Sequence, residues 1–327
     1  MKRSMICFFC LIMLVACMPN PPAPQSTPVS SAIPTITLTS TPASTSTPTP
    51  TATPKPIIPK FDHIVMIVFE NKEFGTVIGN PDMPIFNQLA TDYTLLTQFY
   101  AVTHPSLPNY IAMIGGDTFG IDSNCTDCFV NATSLPDLIE GSGRTWKTYQ
   151  EDMPEPCYLG STLNYAQKHN PFIYFDPIRL DTDRCDQSVV PFTALQTDIA
   201  AGSLPNFIFI TPNLCNGAHN CSLGVSDQWL GNLLMPLIPA LEAQGSNYLV
   251  VLTWDEGQGD HSCCGLPEQA GGRIAVVLIS PLVRNHFQDS TPYTHYSLLK
   301  SISSSWDLPY LGYAAQDNNA LIIEPWK

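Results

Sequence analysis

Three clusters of oxygen-bearing side chains stand far apart in the chain. Glu70-Asn71 closes the apolar run F-D-H-I-V-M-I-V-F-E-N (Phe61 to Asn71), and Asp255-Glu256 closes Y-L-V-V-L-T-W-D-E-G (Tyr248 to Gly257). Between them, in T-H-P-S-L-P-N-Y (Thr103 to Tyr110), Ser106 leads into the apolar stretch I-A-M-I. Carboxylate and amide oxygens suit a hard or borderline divalent cation. A serine at a helix start meets free backbone N–H groups and the positive end of the helix dipole, a place that favours an anion. Its hydroxyl becomes a nucleophile once a metal or a base lowers its pKa. Asn109, three residues on, is placed to aim its amide at developing negative charge. The predicted chemistry is a cation arming a hydroxyl.

In combination, E-N at 70–71, S-L-P-N at 106–109 and D-E-G at 255–257 resemble the acid phosphatase and phospholipase C-type phosphoesterase family of the alkaline phosphatase superfamily. Four more stretches are similar to that family, in order along the chain: Y-A-Q-K-H-N-P-F (Tyr165 to Phe172), T-P-N-L-C-N-G-A-H-N-C (Thr211 to Cys221), D-E-G-Q-G-D-H (Asp255 to His261) and Y-T-H-Y-S-L-L-K-S-I (Tyr293 to Ile302). The resemblance implies a three-layer αβα sandwich with a mostly parallel central sheet. It also implies metal-dependent hydrolysis of phosphate esters through a phosphoserine-type intermediate. Residue by residue, it implies Glu70, Asn71, Asp255 and Glu256 as metal ligands, and Ser106 as a nucleophile that also touches the metal.

Departures from the pattern narrow the expectation. Two-metal members of the superfamily carry a His directly after the second strand's Asp, where this chain has Glu256. The nearest counterpart of their D-x3-H pair, Asn213 to His219, lacks its carboxylate. One tightly bound divalent ion is therefore expected, with a second weak or absent. Sulfatases need C/S-x-P-x-R, and Tyr110 stands in place of that Arg, so sulfate ester chemistry is not expected.

His169, His219, His261 and His295 lie in family-like motifs, whereas His63 and His286 do not. A neutral histidine beside a phosphoryl group ligates metal, and a protonated one binds phosphate or protonates a leaving group. His219, His261 and His295 are thus expected to join Ser106 and Asn109 in catalysis, with His104, Lys168 and His169 on the substrate. Arg273, after Gly271-Gly272, is a further phosphate-clamp candidate.

The elements that must position these groups follow from patterning. Strands apolar along their whole length belong in a parallel sheet covered on both faces, and ligands gather beyond the carboxyl ends of such strands. Further strands are predicted over 146–150, 206–211 and 274–279, and helices over 83–89, 135–140, 194–201, 227–244 and 295–306. Asp227 and Thr294 are predicted N-caps of the last two helices. Strands alternating with helices give one layered α/β domain from residue 61 to 327.

Upstream, basic M-K-R-S precedes an apolar run from Met5 to Ala16, shorter than the roughly 20 residues that span a bilayer. It ends L-V-A-C, which resembles a bacterial lipobox and predicts an exported lipoprotein lipidated at Cys17. Residues 18–60 hold 12 of the 31 prolines and no Asp or Glu, the composition of a disordered tether. All 28 acidic residues but only 10 of the 14 Lys and Arg fall in 61–327, a formal charge of 10 − 28 = −18. That sign argues against a nucleic acid partner. The expected partners are a small phosphate ester or phospholipid, and the membrane through the lipid.

Eight cysteines fall in the domain, an even number that reads as disulfides in an exported chain. Cys157 with Cys185 and Cys215 with Cys221 are the preferred pairs, and Cys125-x2-Cys128 is a disulfide or half of a zinc ribbon. Cys263 and Cys264 are adjacent, so at least one is expected to pair elsewhere. The expected activity is phosphomonoester hydrolysis, with a phospholipase C or other phosphodiesterase as the alternative. A ligand-binding or adhesive surface lipoprotein is the non-enzymatic alternative, against which counts the lack of a duplicated α/β lobe.

Overall fold

The computed structural model describes residues 58–327, with residue 246 left out. The expectations for the export signal, Cys17 and most of the tether lie outside the described residues. Nine strands among those described form one sheet: β1 (His63–Phe69), β2 (Thr94–Tyr100), β3 (Trp146–Gln150), β4 (Val189–Pro191), β5 (Phe207–Thr211), β6 (Tyr248–Trp254), β7 (Arg273–Ile279), β8 (Phe287–Asp289) and β9 (Tyr293–Thr294). Their order is β4-β3-β5-β1-β6-β7-β2-β8, with β9 also beside β2. The five strands from β4 to β6 run parallel, and β7 is antiparallel to both its neighbours. The sheet is thus mostly parallel, as predicted.

Both faces are covered. In β5, Phe207 and Phe209 share the face of Ile64 and Met66, where they meet Trp306 and Tyr110. Phe69, of opposite parity in β1, points the other way and meets Trp229 of the Leu223–Gln244 helix. The Ser106–Gly115 and His295–Ser305 helices pack together, as do the Pro84–Asp92 and Leu223–Gln244 helices. Every residue of β1 and β6 is buried. That burial accounts for their unbroken apolar character.

Two capping expectations part company. Thr294 does cap the last helix, its hydroxyl accepting from Ser297 N (3.3 Å). Asp227 does not cap its own helix, which starts earlier, at Leu223. Its carboxylate instead accepts from Ile85 N and Phe86 N (2.9 and 2.8 Å), closing the N-terminus of the facing Pro84–Asp92 helix. Cys157–Cys185 and Cys215–Cys221 pair as predicted. Cys125 bonds to Cys128, which removes the zinc-ribbon alternative. Cys263 bonds to Cys264, against expectation, because the other six cysteines of the domain are already taken.

Candidate active site

β1 and β6 are parallel neighbours with Phe69 opposite Trp254, so the next residues, Glu70 and Asp255, emerge side by side. The junction is fixed by backbone: Asp255 N donates to Phe69 O (2.9 Å), and Glu70 N to Gly217 O (2.9 Å). Asp255 Oδ1 then accepts from Asn71 N and Glu256 N (2.8 and 2.7 Å). Asn71 takes a left-handed φ of 56° and returns its side-chain amide to Glu70 Oε2 (3.0 Å). Asp255 Oδ2 is buried with no partner.

The Ser106–Gly115 helix lies across this strand end. Ser106 is its first residue, and its Oγ donates to Glu256 Oε1 (3.0 Å). Tyr110, one turn later on the same face, donates its hydroxyl to Glu70 Oε1 and stacks on the His169 ring (centroids 5.3 Å apart). Two positions of one helix thus address carboxylates from two strands. His104 Nδ1 holds the second oxygen of Glu256, and its Nε2 donates to Gly259 O (3.1 Å). The Glu256 hydrogen bond raises the His104 pKa to about 9, so the imidazole is protonated at neutral pH.

Asn109 differs from expectation. Its Oδ1 accepts from Val102 N and Thr103 N, and its Nδ2 donates to Thr103 O and Pro105 O. With both amide hydrogens engaged it holds the serine loop and is not aimed at the reacting group. His169 is buried, with Nε2 3.1 Å from Glu70 Oε2. Burial, followed by the charges of Lys168 and His219, lowers its pKa and keeps it neutral. His295 is held under the site by Nε2 donating to Asp255 O (2.7 Å). Burial lowers its pKa to about 4, and its buried Nδ1 has no partner. His295 therefore positions the Asp255 backbone. His219 and His261 are exposed rim residues, bonded to Asn220 Oδ1 (2.7 Å) and 3.4 Å from Glu73 Oε1, respectively. Arg273 is directed away, its Nε donating to Thr97 O (2.8 Å) and its guanidinium lying over Phe74. Lys168 sits in the Gln167–His169 turn beside His169 and Glu70.

Three contributors escape sequence reading. Tyr110 and Lys72 are two: Lys72 Nζ donates to Ala218 O (2.8 Å) close enough to Asp255 and Glu70 for their charges to oppose the burial that lowers its pKa. The third, Glu73, accepts from Gln258 N, Gly259 N and Arg273 N, which ties the Asp255–Glu256 loop to the start of β7. The i, i+4 relation of Ser106 and Tyr110 was the one available signal.

Glu70, Asp255 and Glu256 are each at most 3% exposed. Burial and then the Asp255 charge push Glu70 upward, and burial and then the Glu256 charge push Asp255 upward. Crowded, desolvated carboxylates with an orphaned Asp255 Oδ2 are a donor set that a divalent cation fits. Among the described residues no group of three His, Cys, Asp or Glu is preset as a metal cage.

The family model described as Phosphoesterase family matches residues 80–309. A phosphate-repressible acid phosphatase from Penicillium chrysogenum is 36% identical over 265 residues, covering 77% of this chain and 60% of the relative. A phosphatidylinositol-3-phosphatase from Mycobacterium tuberculosis is 33% identical over 276 residues, covering 82% and 84%. The chain thus spans only about 60% of the Penicillium relative but most of the mycobacterial one. Among solved structures, a protein in the alkaline phosphatase superfamily from Vibrio parahaemolyticus has a TM-score of 0.54 at 11% identity, covering 79% of this chain and 70% of that one. At that identity the likeness is one of fold.

Proposed function

The chain belongs to the Phosphoesterase family, and on that premise we propose that it hydrolyses phosphate monoesters with Ser106 as nucleophile. The observation that carries this reading is the Ser106 Oγ–Glu256 Oε1 hydrogen bond (3.0 Å) at a helix N-terminus, beside the buried Glu70 and Asp255. In that first turn Leu107 N is taken by Asn124 Oδ1 and Pro108 has no N–H, so Ser106 N and the positive end of the helix dipole are what suit an incoming phosphoryl group. Ser106 Oγ attacks phosphorus, the ester P–O bond breaks, and the Ser106 proton passes through Glu256 Oε1 to the departing alcohol. Water then attacks the phosphoserine and gives a proton by way of Glu256 Oε1 to Ser106 Oγ, whose O–P bond breaks as phosphate leaves. His104 keeps Glu256 oriented through both steps.

Glu70, Asn71, Asp255, Glu256 and Ser106 are the proposed holders of one divalent cation. When bound, such an ion supplies charge screening for the phosphate and acidity for the hydroxyl. Export and anchoring at Cys17 are proposed from the L-V-A-C sequence. A Cys17→Ser variant appearing in the soluble fraction would support them.

The deciding assay compares p-nitrophenyl phosphate with its bis-ester, using wild type and Ser106→Ala. Loss of about 10³-fold or more in the variant is expected, since nucleophile deletions cost that much or more. Undiminished turnover by Ser106→Ala would refute the nucleophile. Faster cleavage of the bis-ester would turn the reading to a phosphodiesterase.

A further inference from the structure

A cavity of about 440 Å³ lies beside the loop that carries His104 and Ser106, and none of the steps above uses it. Its volume falls in the range of small-molecule pockets, about 300–1,000 Å³. Val102 and Thr103 form part of its wall, and these are the residues whose backbone N–H groups Asn109 holds. Thr103 is three residues from Ser106. With Cα atoms about 3.8 Å apart along the chain, the two Cα positions are separated by at most about 11 Å. Residues 120–122 line the cavity within the loop whose Asn124 Oδ1 accepts from Leu107 N in the first turn of the serine helix (3.1 Å).

The lining has a definite chemical character. Tyr296, 5% exposed, lies against the half-exposed Tyr313 with ring centroids 5.4 Å apart. Ile121 and Leu266 add apolar surface, and Gln316 adds an amide. Asn318 Nδ2 donates to Cys264 O (2.6 Å), tying the 263–267 loop to the C-terminal segment. The lining contains no Lys or Arg, and Asp122 contributes a carboxylate. Lys300 is buried behind this wall, donating to the Gln316 and Asn319 carbonyls, and is not part of the lining.

We propose that this cavity is the subsite for the non-phosphate part of the ester, and that it takes a neutral, ring-bearing alcohol in preference to one carrying a second anionic group. The inference rests on the phosphoesterase reading for its place in the reaction. Aromatic faces favour a ring, amides read its hydroxyl or nitrogen edges, and a lining with one carboxylate and no cation does not favour an extra phosphate. Aryl and nucleoside rings share this chemistry, and the assay separates them.

The test measures kcat/KM for adenosine 5′-monophosphate, p-nitrophenyl phosphate, glycerol 2-phosphate and fructose 1,6-bisphosphate. Full-length wild type, Tyr313→Ala and Gln316→Lys are compared. Residues 313 and 316 are exposed, so both variants are expected to fold. Tyr313→Ala should lower kcat/KM about tenfold for whichever ring substrate the subsite takes, mainly through KM, and leave glycerol 2-phosphate within about twofold. Gln316→Lys should raise the bisphosphate relative to the ring substrates. Equal changes for all four substrates, or none, would overturn the proposal. Calorimetric titration of adenosine and of 4-nitrophenol examines the cavity without turnover. Weaker binding of either to Tyr313→Ala supports it, and undiminished binding of both overturns it. Absent turnover with that weakening intact would count against the phosphoesterase reading alone.

Discussion

Tyr110 and Asn109 are neighbours on one helix with separable duties. The Tyr110 hydroxyl reaches Glu70 while its ring covers His169, so Tyr110→Phe removes the hydrogen bond and keeps the packing. Groups that orient a metal ligand typically change affinity about 10- to 100-fold when lost. Tyr110→Phe should therefore weaken divalent-ion binding by about that factor in a titration of chelated protein, with an unaltered circular dichroism spectrum. Equal affinity in both proteins would remove Tyr110 from the site. Asn109→Ala should behave differently, because four backbone groups, one buried and three part-buried, lose their partner. At about 1 kcal/mol or more for each unmade bond, a stability loss of at least about 3 kcal/mol is expected in denaturant unfolding. A large fall in kcat without that loss would restore Asn109 to a catalytic role.

Among the elements, the loop after β6 is the most constrained. Glu73 accepts from backbone on both sides of it, and a Cβ on Gly272 would come within 2.7 Å of Gly259 O and 2.8 Å of Glu73 Oε2. Gly272 also has φ +84°, a region that L side chains rarely adopt. Gly272→Ala should cost about 1–3 kcal/mol and lower the thermal midpoint, and an unchanged midpoint would show that the loop yields freely. This scale also marks what could be read from residue order. β1 and β6 were legible because strands buried on both faces are apolar throughout and their ends carry the carboxylates. β2 was not legible, since Thr97, Gln98 and Tyr100 are part-exposed and its pairing with β7 is antiparallel and irregular. Asp227 carried the chemistry of a cap, but the helix it closes was chosen by packing. Glu73 and Tyr110 were missed for the same reason: their partners are up to 200 and 40 residues away. The adjacent cysteines were misjudged because the other pairs of the domain had to be known first.

Across the whole molecule, charge and burial pull in opposite directions. A folded part with a formal charge of −18 still places Glu70, Asp255 and Glu256 together in its interior. Without a cation, Glu70 and Asp255 have pKa values raised by burial, so the folded protein binds protons that the unfolded chain has released. Stability of the chelated protein should therefore fall as pH rises above the usual carboxylate range near 4. A bound divalent ion reverses the sign, because it binds the ionised carboxylates and competes with their protons. At an ion concentration 100 times its Kd the gain is about 2.7 kcal/mol, or roughly 5–10 °C in midpoint for a domain of this size. Calorimetric scans at pH 5 and pH 7.5, with chelator and after metal add-back, should show the two melting points diverging as pH rises. Superimposed scans at both pH values, with no metal found by elemental analysis, would mean that these carboxylates are held by protons and the protein's own dipoles. The Ser106 hydroxyl would then depend on Glu256 and His104 alone for its activation.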